Sequence, residues 1–537
     1  MLTKSQSSPP EKRRRTIFPG GFPLAATGML LLTAALALLW SYNKLMWMDE
    51  FLVLRTDIAG GFREIAHIQR VQPISLDPLA YHFASHLCTL IFGANAFAIR
   101  LPSLCGFLVM QFCLFFFARH IAGNRAAVIA MALPALTGTL YYATEGRPYG
   151  MLLGVFGIAA LSYQAATRRI HTRPALVCLA LSLALAPNTH YFGVLLFVPI
   201  VSAEFVRTLL TRRFDWPVIA AIALGLLGLL AILPLQPALR PFRQHYYNIG
   251  AINVHTIVIA YRNLLIDFFL PGTILRLMMI AIVLCGIIVL ATCFRLRHRA
   301  AISLPWNEFV FLLILAGLPI LGYFLGRFVT HSMELRYVLG ALLGISALTG
   351  IAIGASLRKE SAYRATIACL AIAIVVVASC HIRVEAANTA AIRASLAVSP
   401  EMKQRLLHAS PDGLIYIGEL NDLERECYYG SDPDFCSHLV AVYSPDEELK
   451  FFHRNTASLG AEHESHFTHI RFARWEQLEG TGPHTLISSQ SAWDWTRKAL
   501  AAEHAQITHL GTALGGNALQ VSIPATSDAP AASVLKK

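Results

Sequence analysis

Charged residues are scarce in this sequence of 537 residues: they make up 14% of it, against 55% hydrophobic residues, and the mean hydropathy is +0.53. So few charges cannot cover the surface of one soluble globule of this size, which excludes a wholly soluble protein. The apolar residues occur in runs that are long enough to cross a bilayer. The sequence therefore predicts a polytopic membrane protein that is solvated mainly by lipid.

Several functional signatures are also missing. The sequence has no P-loop, which argues against an ATP-driven pump, and no internal repeat of the kind found in many transporters. After the first apolar run, at 23–40, no small-residue cleavage site follows, and the run is longer than the apolar core of a signal peptide. This run is therefore predicted to remain as a first transmembrane helix.

The net charge of +12 raises the alternative of nucleic-acid binding. However, the Lys and Arg residues stand in short clusters between apolar runs, where membrane topology places them. The clusters fall in every second connection and are predicted to be cytoplasmic: Lys12–Arg15, Arg119/Arg125, Arg168/Arg169/Arg173, Arg207/Arg212/Arg213, Arg295/Arg297/Arg299 and Arg358/Lys359/Arg364.

About eleven apolar runs have the length of a transmembrane helix. They lie at 23–40, 101–118, 126–142, 150–166, 174–189, 191–206, 217–233, 274–294, 309–325, 338–355 and 366–380. A twelfth run at 78–93 has only about sixteen residues and contains His82 and His86. Counting it as a span would invert the topology downstream, so it is predicted to be an interfacial or re-entrant helix in a long first external loop, beside an amphipathic segment at 57–70.

Polar residues become frequent only after Cys380. Short β-like runs at 414–417, 441–443, 485–488 and 518–523 alternate there with a helical stretch around 495–504. This pattern predicts a transmembrane domain at residues 1–381 and a small extracytoplasmic α/β domain at residues 382–537, with a disordered tail from Pro524.

Of the ten cysteines, only Cys427 and Cys436 lie in the polar C-terminal region. The others lie in or beside apolar segments, where cysteine behaves as a small hydrophobic residue. If the C-terminal domain faces an oxidising compartment, a disulfide between the two is one expectation, and two free thiols are the other.

Ionisable residues follow the predicted external ends of several helices, and such residues are costly near a membrane and often functional. They lie in Asp49-Glu50, Glu145-Gly146-Arg147-Pro148-Tyr149, Asn188-Thr189-His190-Tyr191 and Glu334-Leu335-Arg336-Tyr337. Arg240, Arg243 and His245 add positive charge on the same side, against the orientation rule. An anionic ligand such as a phosphate is the simplest reason for them.

Carboxylates beside arginines at a lipid–water boundary suit the transfer of a group from a lipid phosphate. A carboxylate accepts the proton of the acceptor, and arginine stabilises the charge that develops on the departing phosphate. Each feature also has a simpler interpretation: an acidic helix end, a local ion pair, an interfacial histidine, or arginines that reach lipid head groups. The location of all of them on one face favours the functional interpretation.

The order and spacing of these motifs resemble the GT-C superfamily of membrane glycosyltransferases, of the type related to protein O-mannosyltransferases and the lipid A aminoarabinose transferase. The resemblance covers roughly residues 20–360. It rests on Met48-Asp49-Glu50, Ile91-Phe92-Gly93, Ala98-Ile99-Arg100-Leu101-Pro102-Ser103, Tyr141, Glu145 to Tyr149, Thr189-His190-Tyr191 and Arg336-Tyr337.

This resemblance implies the GT-C fold and the transfer of one sugar from a polyprenyl-phosphate-linked donor outside the cytoplasm. It implies that Asp49 is the catalytic base, with Glu50 beside it. Glu50 and Glu145 are then expected to orient hydroxyl groups, and Arg147, His190 and Arg336 to bind phosphate. The other candidate substrate contacts are Tyr149, Tyr191, Tyr337, Arg240 and Arg243.

The sequence also departs from its apparent relatives. Where the aminoarabinose transferases have a Lys-Pro-Pro motif, this chain has Ser75-Leu76-Asp77-Pro78, so the donor-phosphate lysine is missing and the donor sugar is undetermined. The Trp-Trp-Asp-Tyr-Gly motif of oligosaccharyltransferases is absent as well, which argues against block transfer of an oligosaccharide.

The leading hypothesis is a hexosyl- or pentosyltransferase that gives a single sugar to a lipid, glycan or protein acceptor. Direct displacement would invert the anomeric configuration, and the participation of Mg²⁺ or Mn²⁺ is left open. A transporter or flippase for lipid-linked glycans is the alternative, although it favours charges near the middle of the helices and repeated halves. A scaffold would leave the charged cluster without a purpose. The resemblance implies a bacterial inner membrane, with the N-terminus cytoplasmic and the C-terminal domain periplasmic.

Overall fold

The computed structural model describes residues 22–244, 252–266, 272–296, 302–331, 333–430, 432–466, 470–489 and 494–525, together with Thr468 and Ser491. The chain forms a large, mostly helical part that is followed by a small domain with one mixed sheet. This confirms the predicted fold class. Except for its first two residues, the predicted tail from Pro524 lies outside the described residues.

Within the described residues, the helical part contains sixteen α-helices. In chain order they are α1 (Leu24–Tyr42), α2 (Met48–Ile58), α3 (Phe62–Val71), α4 (Leu79–Phe92), α5 (Ala96–Ala132), α6 (Tyr149–Thr167), α7 (Thr172–Thr189), α8 (Phe197–Thr211), α9 (Trp216–Leu226), α10 (Gln236–Gln244), α11 (Val254–Leu265), α12 (Gly272–Leu296), α13 (Trp306–Ala316), α14 (Leu318–Leu325), α15 (Ala341–Ser356) and α16 (Glu360–Leu396). Short 3₁₀ or π turns connect some of them, at Leu133–Leu136, Gly138–Ala143, Tyr191–Leu196, Leu227–Leu235, Gly326–Thr330 and Leu335–Tyr337.

Seven helical segments of the described residues are long and apolar enough to cross a membrane, or eight if the pair α13 and α14, bent by 56°, counts as one span. These segments include α5 with its following turn as a single unit, which contains the predicted span at 101–118 and the first part of that at 126–142. The 16-residue α15 is too short to be counted, and α7 is not among them. The number eleven therefore stays a prediction.

Helix α5 folds back on itself at Gly123. The φ angle of Gly123 is 78°, in the left-handed region that favours glycine. The side-chain amide of Gln111 donates a hydrogen bond to the backbone carbonyl of Met131 at 3.0 Å, although a straight helix would separate these residues by about 30 Å. Two antiparallel helices therefore occupy α5, as the two predicted spans in this region require.

Small residues bring α5 and α6 into backbone contact. A Cβ atom at Gly150 would lie 2.3 Å from the carbonyl oxygen of Ser103, and one at Gly154 would lie 2.6 Å from that of Gly106. Glycines four residues apart are typical of close helix pairs in membranes. This packing fixes the segment just before α6, which carries Glu145 and Arg147, against the beginning of α5.

Helices α2, α3 and α4 form the predicted first external loop. Helix α4 has 14 residues, fewer than the approximately 20 that a span needs, and begins and ends close to the predicted bounds. Its polar face is buried, with His82 Nδ1 3.0 Å from Asp57 Oδ1 of α2, while Leu90 and Ile91 are exposed. One side of α4 therefore packs on α2, and the other side is apolar and open.

The C-terminal domain is a six-stranded sheet covered by short helices. Its strands are β1 (Ile415–Ile417), β2 (Leu439–Tyr443), β3 (Arg471–Arg474), β4 (Pro483–Ser489), β5 (Gln506–Ala513) and β6 (Gly516–Ser522), and the helices are α17 (Pro400–His408), α18 (Leu420–Tyr429), α19 (Pro433–Ser437), α20 (Pro445–Phe452), α21 (Thr456–Glu464) and α22 (Thr496–Ala502). The order in the sheet is β3-β2-β1-β4-β6-β5, with β1 to β4 parallel and β6 antiparallel to both of its neighbours. A 3₁₀ turn at Trp475–Gln477 follows β3.

This domain contacts helix α2 directly. Cys427 and Cys436 form a disulfide between α18 and α19, and α18 itself lies against α2, with Arg55 of α2 bonded to Glu424 at 2.8 Å. Helix α16 connects the domain to the membrane part without a break from Glu360 to Leu396. The domain therefore lies on the same side of the membrane part as the residues at the beginning of α2.

Candidate functional site

The predicted base, Asp49, lies between two arginines. It occupies the first turn of α2, and its Oδ2 atom is 3.5 Å from Nη2 of Arg147 and 3.7 Å from Nη1 of Arg336. Its side chain is 24% exposed, whereas those of Arg147 and Arg336 are 9% and 17% exposed. A carboxylate that remains open to solvent thus faces two guanidinium groups on different elements, in the combination that the sequence analysis predicted.

A second carboxylate, Asp77, completes this charged cluster. The Nη1 atom of Arg147 is 3.0 Å from Oδ2 of Asp77, and Nη2 is 3.5 Å from Oδ1. Ser75 donates a hydrogen bond to the same carboxylate at 3.3 Å. Sequence reasoning missed Asp77, because Ser75-Leu76-Asp77-Pro78 was considered only as the place where a lysine is missing.

Aromatic rings form one wall of the cluster. The guanidinium of Arg336 lies 5.9 Å from the ring centre of Tyr149 and 5.8 Å from that of Tyr337, within the range of cation–π attraction. The His190 ring lies 5.4 Å from Tyr149 and 5.0 Å from Tyr337. The structure therefore brings together Asp49, Arg147, Tyr149, His190, Arg336 and Tyr337, all of which the sequence analysis selected.

Glu50 faces away from Asp49 and is fully buried. Arg100 donates to both of its oxygens, at 2.7 and 2.8 Å, and the backbone N–H of Gly146 donates to Oε1 at 2.7 Å. Burial alone would raise the pKa of Glu50, but the charges of Arg100 and Lys44 outweigh it and lower that pKa. Because Glu50 is fully buried, a substrate hydroxyl could reach it only if the surrounding packing opened, so the geometry favours a role in which Glu50 fixes Arg100 and the Glu145 segment.

Glu145 is also buried and has a cationic partner. Its Oε1 atom is 3.4 Å from Nζ of Lys44, and that ammonium lies 3.8 Å from the ring centre of Tyr141. The predicted alternative of a local pair between Glu145 and Arg147 is therefore not what the structure contains. Lys44 was missed because it follows the first apolar run and resembles an ordinary flanking lysine.

Tyr191 and Arg243 lie near the cluster, whereas no contact connects Arg240 to it among the residues that the structure describes. Tyr191 lies within electrostatic reach of both Asp77 and Arg243. Arg243 is exposed at the end of α10, where it donates to the side chain of Gln236, and Arg240 is exposed one turn earlier. His245 lies outside the described residues.

His190 does not carry a charge at neutral pH. Its burial and the repulsion from Arg147 and Arg336 lower its pKa to about 3. The backbone N–H of Phe192 donates to Nδ1 at 3.2 Å, so the proton of the neutral ring is on Nε2. His190 can therefore donate one neutral hydrogen bond, but it cannot add a positive charge to a phosphate site.

We expect the pH profile of ligand binding to reflect this neutral state. Between pH 5 and 8, binding of a polyprenyl phosphate, the ligand class that the sequence analysis predicts, should show no inflection that depends on His190, because a group with a lowered pKa is already deprotonated across that range. Titration of binding in the wild type and in His190→Gln measures this. Loss of an inflection near pH 6.5 in the variant would contradict the expectation.

A divalent cation has no evident site here. Among the residues that the structure describes, no group of three His, Cys, Asp or Glu side chains could hold a metal ion. The three predicted carboxylates point to different cations: Asp49 to Arg147 and Arg336, Glu50 to Arg100, and Glu145 to Lys44. In this arrangement the arginines are the groups that can neutralise a phosphate.

Comparison with known proteins supports the architecture. Residues 77–237 match the family model described as dolichyl-phosphate-mannose-protein mannosyltransferase. The crystal structure of ArnT from Cupriavidus metallidurans in the apo state is similar, with a TM-score of 0.55 and 15% sequence identity over 94% of this chain and 100% of that chain. The same protein bound to undecaprenyl phosphate has a TM-score of 0.52 and 14% identity over 92% of this chain and 98% of that chain.

No curated protein sequence matches this chain significantly. The structural likeness extends over both the helical part and the C-terminal domain, since nearly the whole of each chain is covered. At this level of identity the likeness concerns the fold. It confirms the resemblance to the GT-C superfamily that the motifs had indicated.

Proposed function

We propose that this chain, which has the fold of GT-C membrane glycosyltransferases, transfers a single sugar from a polyprenyl-phosphate donor to a lipid, glycan or protein acceptor. The observation that carries the proposal is the position of Asp49 between Arg147 and Arg336, 3.5 and 3.7 Å away. One small cluster thus contains a carboxylate that can serve as a base and two guanidinium groups that can bind a phosphate. The undecaprenyl phosphate bound in the similar ArnT structure supports a polyprenyl phosphate as the ligand.

The chemistry requires few groups. Asp49 accepts the proton of the acceptor hydroxyl while that oxygen forms a bond to the anomeric carbon of the sugar. The bond between this carbon and the phosphate oxygen breaks, and the polyprenyl phosphate leaves with both electrons. Arg147 and Arg336 stabilise its charge, so no general acid is needed. A direct displacement of this kind inverts the anomeric configuration.

Donor binding and activation of the base are linked in this arrangement. The charge of Asp49 is balanced by the two arginines that the donor phosphate requires. A phosphate bound to these arginines competes with Asp49 for their positive charge, which makes the Asp49 carboxylate available to the acceptor. The cluster therefore favours proton abstraction when a donor is in place.

The remaining predicted residues have assigned tasks in this proposal. Tyr149 and Tyr337 stack beside Arg336 and line the sugar pocket, and neutral His190 donates one hydrogen bond. Arg243 and Arg240 guide the anionic donor toward Tyr191 at the rim. The site is proposed to face the periplasm of a bacterial cell, with the N-terminus of the chain in the cytoplasm.

The test uses the purified protein in liposomes with a panel of polyprenyl-phosphate sugars that carry separate labels on the sugar and the phosphate. A transferase moves the sugar label to an acceptor and releases unglycosylated polyprenyl phosphate. The alternative, a flippase for lipid-linked glycans, moves both labels across the bilayer and leaves the bond between them intact. Translocation without bond cleavage would replace the proposed function by that alternative.

Arg336→Gln is expected to weaken donor binding roughly ten- to a hundredfold, because a hydrogen bond to a charged group contributes about 1.5–3 kcal/mol. Arg125→Gln is the matched control: Arg125 lies beyond the α5 turn, at the far end of the helices, where it pairs with Glu360 at 2.9 Å. Titration with undecaprenyl phosphate measures both. If both variants bound undecaprenyl phosphate equally well, Arg336 would not be part of the phosphate site.

A further inference from the structure

The C-terminal domain contacts the backbone just before the catalytic aspartate. Both polar groups of Met46, three residues before Asp49, are bonded to α18: its N–H donates to the hydroxyl of Tyr429 at 2.9 Å, and its carbonyl accepts from Nε of Arg425 at 3.1 Å. Met46 is fully buried. The position of the chain as it enters α2 is thus set by two side chains that come from another domain.

The same helix also contacts α2 beyond Asp49. Glu424 of α18 lies 2.8 Å from Nε of Arg55, and Glu464 of α21 lies 2.7 Å from the same atom. Both carboxyl groups are fully buried, and the Phe51 ring packs edge-on against Tyr428 at 5.8 Å. Helix α18 therefore contacts this segment both before and after Asp49.

A covalent link fixes α18 at this interface. Cys427 lies between Arg425 and Tyr429 in the sequence and is bonded to Cys436 of α19, with 5.3 Å between the Cα atoms. The N-terminal end of α18 follows directly after β1, an interior strand of the sheet. Both ends of the helix are thus anchored within the C-terminal domain.

We propose that α18 is a positioning element for catalysis: Tyr429, Arg425 and Glu424 hold the segment 46–55 so that Asp49 faces Arg147 and Arg336, and the Cys427–Cys436 disulfide keeps α18 in place. This inference rests on the proposed function. The C-terminal domain then takes part in catalysis by positioning Asp49. Reduction of the Cys427–Cys436 disulfide makes α18, and with it the segment 46–55, more mobile.

The alternative is that these contacts only attach the domain to the membrane part. The two roles differ in their effects. Attachment alone changes stability, whereas positioning changes the rate of the chemical step, because displacement of a reacting group by about 1 Å costs up to a hundredfold in rate. Donor affinity should be unchanged or higher, since Arg147 and Arg336 lie in other segments of the chain and Asp49 is their competing carboxylate.

Tyr429→Phe tests the proposal because it removes one hydroxyl and keeps the ring. We expect kcat to fall roughly ten- to a hundredfold, with the KM for the donor unchanged or lower and the melting temperature unchanged. Tyr416→Phe is the matched control: it removes a hydroxyl that bonds Asp412 at 2.8 Å inside the same domain. Normal kcat in Tyr429→Phe would overturn the positioning role.

Hydrogen–deuterium exchange gives a readout that does not depend on activity. In Tyr429→Phe, and in the wild type treated with a reductant, exchange in the segment 43–55 should increase, whereas Tyr416→Phe should leave it unchanged. The other eight cysteines are free thiols, so the reductant acts on this disulfide, and a Cys427→Ser/Cys436→Ser variant should be insensitive to it. Unchanged exchange would refute the contact between α18 and this segment, whereas failure of the wild type to cleave any donor would refute the proposed function instead.

Discussion

Asp49→Asn is expected to lower kcat for sugar transfer by a factor of about 10²–10⁴, the typical contribution of a general base. The substitution preserves the shape of the side chain and removes its ability to accept a proton. Donor affinity should be unchanged or higher, since Arg147 and Arg336 lose a competing carboxylate at 3.5 and 3.7 Å. Steady-state kinetics with a labelled polyprenyl-phosphate sugar separates the two effects.

Glu64→Gln is a suitable control for Asp49→Asn. Glu64 lies on the neighbouring helix α3 and is exposed, so this substitution changes the net charge equally and should leave kcat at the wild-type value. If Asp49→Asn retained full transfer, another base would have to be sought. A parallel rise in KM and fall in kcat would instead indicate that Asp49 organises the phosphate site.

The second large effect is expected from the ion pair between Glu50 and Arg100. Both side chains are buried, with two hydrogen bonds between them, and removing one partner of such a pair typically costs about 3–5 kcal/mol of stability. Arg100→Met should lower the free energy of unfolding more than Glu50→Gln, because Arg100 also donates to the carbonyls of Ser41, Lys44 and Leu45. Unfolding in mixed micelles measures both variants.

This experiment also separates two roles of Glu50. If Glu50 only fixes Arg100 and Gly146, the Glu50→Gln protein should lose stability while the folded fraction retains transfer. Wild-type stability combined with a loss of transfer would mean that Glu50 acts on the substrate directly, as the neighbourhood of Asp49 in the sequence had suggested. Arg125→Gln, at the other end of the helices, controls for the loss of an exposed ion pair.

The positions of several apolar helices could be predicted from hydropathy. The first predicted span at 23–40 corresponds to α1 at Leu24–Tyr42, and that at 338–355 to α15 at Ala341–Ser356. The fold-back at Gly123 also agrees with the prediction of two separate spans. These features depend on local composition, which the sequence displays directly.

The sheet was predicted only in its interior. The four predicted β-like runs correspond to β1, β2, β4 and β6, which lie inside the sheet, whereas β3 and β5 were missed and lie at its two edges. Both edge strands expose much of their surface, so they lack the apolar pattern that identifies buried strands. The sequence pattern therefore identified the strands that are buried and did not identify strands in general.

At the candidate site, the sequence indicated which residues are present but not how they pair. Asp49, Arg147 and Arg336 were selected because they share one predicted side of the membrane. The partners Asp77, Lys44 and Arg100 were not assigned, since they are distant in sequence from the residues that they bond. Such pairings are determined by how the helices pack, and local patterns do not contain this information.

The length of helix α16 restricts which insertions and deletions the protein can tolerate. Its 37 residues extend about 55 Å, whereas the apolar core of a bilayer is about 30 Å thick. Because the helix is continuous, each residue inserted in its outer part would raise the C-terminal domain by about 1.5 Å and rotate it by about 100°. Evolutionary changes in the length of this helix should therefore be rare, because even a step of about seven residues, two full turns, restores the orientation of the domain but moves it about 10 Å away from its contacts with α2.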